Sequence, residues 1–335
     1  MHMRECLTFD DVSLQPQYSE ISSREDVVLH CGEELKRFLN VPILSANMKS
    51  ITGVSMCHAM QKSGGVGVLH RFHKNEHFLR SDLSVLADTG CFFIPSIGVN
   101  ETELWKLEHY AQAGCKAICI DVAHGHHKKV CEMILSARQA MPEAVIIAGN
   151  VATKGATRLL CIAGADIIKV GIGPGSHCTT RIVTGHGIPQ LTAILDCSLE
   201  ASYHEKCTIA DGGLRNSGDM AKALAAGARY LMVGRLLAPA TESNAKLVYR
   251  NGRAFKVYMG SASHEARKRS KYIEGVHSEV PYNGQSVSDI IDELSAGLRS
   301  SLSYSGTQNL EEFRKHRIFV RITHNSYIEG TPHGL

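Results

Sequence analysis

The chain has 335 residues, 44% of them apolar and 21% charged, with a formal net charge of +3. Those values suit a globular fold with a large core, and so small a charge gives no electrostatic case for nucleic acid as the main partner. The N-terminus, MHMRECLTFDDV, lacks a signal-peptide run, no stretch reaches the ~18–20 apolar residues of a membrane span, and the 11 cysteines are scattered without a CxxC pair. The expectation is a cytoplasmic protein with free thiols and no membrane partner.

Eight short apolar runs follow one another along the chain. They are PILSANM from Pro42, GGVGVLH from Gly64, FIPSIGV from Phe93, AICIDVAHG from Ala117, VIIAGNVAT from Val145, IIKVGIGPG from Ile167, TIADGG from Thr208 and YLMVGR from Tyr230. Helix-like stretches such as ETELWKLEHYAQAG, ATRLLCIAGA and SGDMAKALAAGA lie between them. Continuous apolar strands alternating with helices predict a parallel sheet covered on both faces. Eight such units close naturally into a (β/α)8 TIM barrel, with a doubly wound open sheet as the alternative. About 41 residues separate the sixth run from the seventh, and the excess falls in a loop over about 171–190. Long loops inside compact domains are often functional. Beyond the eighth run, residues 236–284 are polar and turn-rich and predict a hairpin followed by a flap. A last helix, SVSDIIDELSAGLRSSLSY, comes next. No linker divides the chain, so one domain over 1–335 is expected.

In a barrel, the residues that do chemistry sit at the C-terminal ends of the strands. The seventh run ends in Asp211-Gly212-Gly213 and the eighth in Gly234-Arg235. Glycines there let backbone N–H groups close on an anion, and Asp211 can accept hydrogen bonds from ribose hydroxyls. Two plain tight turns are the simpler reading of the same residues. The sixth loop carries Gly171, Gly173, Gly175, Ser176, Cys178, Thr179 and Thr180. Cys178 is flanked by polar residues after a glycine turn, which makes it the candidate nucleophile among the cysteines. His177 beside it is a candidate for favouring the thiolate, although sequence neighbours often point apart. His124, His126 and His127 end the fourth run. A metal site there lacks a second ligand cluster with an evident spacing, and Asp121 is the better candidate for touching a ligand. The basic run Arg267, Lys268, Arg269, Lys271 is either solvated surface or an anion-contacting flap.

At the sixth loop the sequence becomes specific. GIGPGSHCTTR, TG-x-G-x-PQ and IADGGLRNSGDMAKALAAGA, with LTFDDVSLQP, IDVAHGH, IIAGNVAT and FVRIT, resemble the inosine monophosphate dehydrogenase and guanosine monophosphate reductase family almost end to end. The resemblance implies that Cys178 attacks carbon 2 of a purine nucleotide and that hydride moves between that carbon and a nicotinamide. It implies a nucleotide site at Ser176, Asp211, Gly212, Gly213, Gly234, Arg235, Tyr258, Gly260, Ser261, Ala262, Ser263 and Gly275. Cofactor contacts are implied at Ser23, Arg24, Arg71, Asp121, Val122, Ala123, Ser301 and Tyr304. Ser23 and Arg24 would reach a neighbouring subunit's cofactor in a homotetramer. A potassium ion is implied on main-chain oxygens of Gly173, Gly175, Cys178 and Arg181.

Within that family, the residues favour the reductase, which converts GMP to IMP and ammonia with NADPH. The dehydrogenase, oxidising IMP to XMP with NAD, is the alternative. A weakened nucleotide sensor is a further one. Only about 23 residues separate His70 from Phe93, so the CBS pair that most dehydrogenases insert there is absent. The flap segment SASHEARKRSKYIEG lacks the dehydrogenase's Arg-Tyr pair and holds only Lys271-Tyr272. Thr180 and Glu274 match the reductase's catalytic pair, a carboxylate holding a hydroxyl as a proton relay. SSLSYSG is also reductase-like. Against these stand TTRIV, EGVHSEVPYNG and FVRITHNSYIEGTPHG, which look like dehydrogenase segments. Arg71 and Val276 occupy positions where reductases often carry lysine.

Overall fold

A computed structural model describes residues 3–30, 34–35, 37–260 and 275–332. The strands are β1 (Val12–Leu14), β2 (Ile43–Ser45), β3 (Val66–Leu69), β4 (Phe93–Ile97), β5 (Ala117–Asp121), β6 (Val145–Val151), β7 (Ile167–Val170), β8 (Cys207–Asp211), β9 (Tyr230–Val233), β10 (Lys246–Arg250), β11 (Arg253–Met259), β12 (His277–Pro281) and β13 (Phe319–Arg321). Strands β2 to β9 form a closed barrel in chain order, all parallel, sealed where Ile43, Leu44 and Ser45 pair with Leu231, Met232 and Val233. This is the (β/α)8 barrel expected from the eight apolar runs. An open sheet is excluded by the β2–β9 pairing.

The strands are buried on both faces, which is why they read as unbroken apolar runs. Helices start where the sequence supplies a cap. Asn75, Thr153, Asn216 and Ser286 each accept a backbone N–H from the first turn of the helix that follows. They stop where it supplies a glycine. Gly164 closes the helix Lys154–Ala163 at φ 104°, a conformation that costs other residues Cβ strain. In β3, a Cβ on Gly67 would lie 2.6 Å from Cys57 Cα, so this glycine lets the helix Val54–Lys62 pack directly on the strand.

Three elements differ from the expectation. The hairpin after the eighth barrel strand is a three-stranded antiparallel sheet, β10-β11-β12, because His277–Pro281 returns to pair with β11. The termini meet in a two-stranded sheet of β1 and β13. The long interval before β8 holds a helix, Gln190–Ser202, so the irregular part of the sixth loop is confined to residues 171–189 and a short helix, Thr180–Thr184. Among the described residues no helix is long and apolar enough to cross a membrane. The ten described cysteines are free thiols.

His70, at the end of β3, gives the fold a pH dependence. It is buried, and its Nδ1 accepts the Phe72 N–H at 3.1 Å, which requires that nitrogen to be unprotonated. Burial first, then repulsion from His73, Lys49 and Lys106, pulls its pKa down to about 3, against a weaker pull upward from Asp82. The unfolded chain therefore takes up this proton near pH 6.5 and the folded chain does not. Stability is full above pH 6.5 and falls as pH drops toward 3, by up to about 1.4 kcal/mol per pH unit from this residue. We expect His70→Gln to flatten the acid limb of the urea midpoint between pH 6.5 and 4.5. An unchanged slope would show that other groups carry the dependence.

Candidate active site

The C-terminal ends of the barrel strands enclose a cavity of about 280 Å³. Most of the residues singled out from the sequence line it: Ser176, Cys178 and Thr180 from the loop after β7, Asp211 to Gly213 after β8, and Gly234 and Arg235 after β9. Tyr258 and Gly260 reach it from β11, and Arg71 and Asp121 to Ala123 from the loops after β3 and β5. Gly173 and Gly175 belong to the same wall. Ser261, Ala262, Ser263 and Glu274, with the basic run at 267–271, lie outside the described residues.

Glycine is needed at two kinds of place. Gly212 and Gly213 have φ of 93° and 80°, so the chain turns back at the end of β8 with its amides available. Gly234 has an ordinary φ, but a Cβ there would lie 3.1 Å from the Tyr258 hydroxyl and from Met48 Sδ. Room beside Arg235, at the start of a single 3-10 turn, depends on its missing side chain.

Cys178 is held by backbone. Its N–H donates to Gly175 O at 3.0 Å, and it forms an isolated antiparallel bridge with Gly275. The neighbouring His177 O accepts the Val276 N–H at 3.1 Å, and Val276 O accepts the Gly260 N–H at 3.0 Å. The Cys178 loop is thereby stitched to the strand that enters β12. The Cys178 thiol sits 3.1 Å from Thr180 Oγ1, where the hydroxyl can assist a proton on sulfur or on a ligand.

His177 does not serve the thiolate. Its ring turns away, with Nε2 2.6 Å from Ser278 Oγ and Nδ1 3.1 Å from Ser176 Oγ, and its edge meets the Tyr258 ring at 4.4 Å between centroids. Burial, and then the charges of Arg235 and His277, lower its pKa and keep it neutral at pH 7. The residue is thus a brace between Ser176, Tyr258 and β12. Burial also pushes the Tyr258 phenol up to about 12, with Ser176 opposing, so it stays a neutral hydrogen-bonding group.

Two floor residues were not singled out from the sequence. Lys169 of β7 pairs with Asp121 at 2.8 Å and Asp211 at 2.9 Å, and it also donates to Asn150. Burial opposes the charged forms, but the mutual attraction wins. The pKa of Lys169 lies above its usual value, and that of Asp121 below its own. The signal was present as a lone charge inside the run IIKV, since a buried lysine needs a partner.

Two sets of groups bear on the ligands that the resemblance implies. Arg71 Nε is buried without a hydrogen bond, 3.8 Å from Asp121, and fits a polar group of a dinucleotide. The main-chain oxygens of Gly173, Gly175, Cys178 and Arg181 are hard donors, of the chemistry that suits a monovalent cation. Gly175 O and Arg181 O each already accept one amide, from Cys178 and Gly185, and keep a second lone pair. The Arg181 guanidinium passes beneath the loop to Ile188 O at 2.6 Å, through space that a Cβ on Gly173 would fill. No metal-holding group of His, Cys, Asp or Glu occurs among the described residues, His124, His126 and His127 included.

Ser23, Arg24, Ser301 and Tyr304 are not in the cavity lining. Arg24 begins a 3-10 turn, Arg24–Asp26, that packs on the helix Val287–Tyr304, and Tyr304 is exposed.

The family model for the IMP dehydrogenase / GMP reductase domain matches residues 6–333. The chain belongs to that family. It is 34% identical to an inosine-5'-monophosphate dehydrogenase of Borreliella burgdorferi over 396 aligned residues, covering 99% of this chain and 98% of that relative. A relative of the same name from Aquifex aeolicus is 31% identical, with 99% and 96% covered. One from Bacillus subtilis is 43% identical over 252 residues, which are 72% of this chain and 51% of that protein. Membership makes the chain an oxidoreductase of purine nucleotides with a nicotinamide cofactor. The three relatives are named as dehydrogenases, not as the reductase that the sequence favoured.

The brace leads to a prediction. His177→Phe removes both hydroxyl partners of a buried ring and is expected to lower stability by about 1–2 kcal/mol. It should raise the KM for nucleotide more than it lowers kcat. An unchanged KM would show that Ser176 and Tyr258 do not depend on His177.

Proposed function

We propose that the chain is an NAD-dependent inosine monophosphate dehydrogenase that works through a covalent intermediate on Cys178. The reading is carried by Cys178 at the cavity wall beside Thr180, in a chain whose likeness to proteins of that name extends over its whole length. The Cys178 thiolate adds to carbon 2 of the purine. When bound, the nicotinamide supplies the acceptor for the hydride that leaves this carbon. Water then displaces sulfur and gives xanthosine monophosphate. Gly212, Gly213, Gly234 and Arg235 take the phosphate through amides and a guanidinium, with Ser176 and Tyr258 beside them. Asp211 accepts from the nucleotide's ribose. Arg71 and Asp121 to Ala123 take the dinucleotide, while Ser23, Arg24, Ser301 and Tyr304 form a surface for a second copy's cofactor in a tetramer. Potassium on the sixth loop would brace the backbone that carries Cys178.

A second reading, the NADPH-dependent GMP reductase, has two sequence observations in its favour. The 261–275 segment has no Arg-Tyr pair to activate water, and Thr180 and Glu274 are placed in sequence to protonate leaving ammonia. Both reactions share the bond between Cys178 and carbon 2.

Purified chain with IMP and NAD should produce reduced-nicotinamide absorbance and XMP. Loss of that absorbance with GMP and NADPH, with ammonia release and no response to IMP, would overturn the dehydrogenase in favour of the reductase. Binding without turnover in either direction would favour a sensor. Cys178→Ala should reduce turnover by at least about a thousandfold while nucleotide still binds. Retained turnover would refute the covalent scheme.

A further inference from the structure

The floor of the cavity holds a buried charge that the proposed chemistry does not use. The Lys169 side chain is 2% exposed. An ammonium has three donors and no acceptor. Here the donors meet Asp121 Oδ1 at 2.8 Å, Asp211 Oδ2 at 2.9 Å and Asn150 Oδ1. Asn150 closes the group by donating to Asp211 Oδ2 at 2.9 Å and to Gly171 O at 2.8 Å, the residue that opens the nucleophile loop. Asp121 also faces Arg71 at 3.8 Å, and Arg71 pairs with Glu103 at 3.0 Å. Charges thus alternate from Asp211 through Lys169, Asp121 and Arg71 to Glu103.

Asp211 adjoins the glycine turn on the nucleotide side, and Asp121 adjoins Val122 and Ala123 on the dinucleotide side. Neither carboxylate can swing toward a ligand without stretching its ion pair to the same nitrogen. A ligand that fixes one carboxylate therefore fixes the other, and the second ligand meets a group already in place.

We propose that Lys169 is a positioning residue that couples the two halves of the cavity, so that nucleotide and dinucleotide each tighten the binding of the other. The inference rests on the assignment of Asp211 and Asp121 to the two ligands.

The test is calorimetric titration in a Cys178→Ala background, where turnover is blocked. IMP is common to both reactions of the family, so its affinity is measured with and without saturating NAD or NADP+, whichever the parent binds. The parent should show IMP tightened at least about 5-fold by the dinucleotide, and Cys178→Ala/Lys169→Gln less than about 2-fold. An equal factor in both proteins overturns the inference and leaves the site assignment standing. So does a parent that binds both ligands without coupling. A parent that binds neither overturns the site assignment and the inference with it. Should the Lys169 variant not fold, Asp121→Asn is the second variant, because it keeps Lys169 paired with Asp211. At saturating dinucleotide it must also lose the tightening of IMP, and persistence of the parent's factor overturns the inference.

Discussion

One ammonium with three acceptors determines where charge can sit at the mouth of this barrel. Lys169 projects from an otherwise apolar strand, and taking an unpaired charge out of water would be prohibitive. Asp121 from β5 and Asp211 from β8 approach it from either side, and Asn150 from β6 fills the remaining donor. Three strands that differ in what they offer a ligand are thus tied at one point. Such a buried group is weak support for stability, since an apolar replacement of similar volume often does as well, but it fixes geometry. The two carboxylates point where they do because the barrel has one cation between them.

Backbone does for Cys178 what the ammonium does for the carboxylates. Cys178 sits on a loop whose glycines allow several conformations, and its position comes from pairing with Gly275 and from Val276, which bridges His177 and Gly260. The three-stranded sheet beyond the barrel therefore belongs to the site. His177 adds a side-chain tie to the same strand through Ser278. In the covalent scheme proposed above this bracing matters, because small misplacements of a reacting atom are costly in rate.

The barrel was legible in the sequence because each strand is buried on both faces and reads as one apolar run. The sixth loop was legible through its length and glycine content, and the family through the motif that loop carries. β12 was not, since HSEVP buries only Val280 and lacks the alternation of a half-buried strand. β1 and β13 are three residues each and pair across nearly the whole chain, which no local pattern records. Cys178 beside Thr180 was legible from adjacency. The direction of His177 was not, because its partner Ser278 lies 101 residues away. Lys169 was not legible as a site residue, because a single charge within an apolar run reads as part of the strand. The choice between reductase and dehydrogenase was not legible, since the flap without an Arg-Tyr pair points to one and the TTRIV and EGVHSEVPYNG segments to the other.

Both reactions proposed for this cavity pass through a bond between Cys178 sulfur and carbon 2 of a purine nucleotide. The most direct measurement is mass spectrometry of peptides from enzyme quenched by acid during turnover, with IMP and NAD in one sample and GMP and NADPH in another. The account predicts a purine nucleotide adduct on the peptide containing Cys178, in whichever sample turns over, and on no other cysteine peptide. Steady turnover with Cys178 unmodified throughout, or an adduct on a different cysteine, would contradict it.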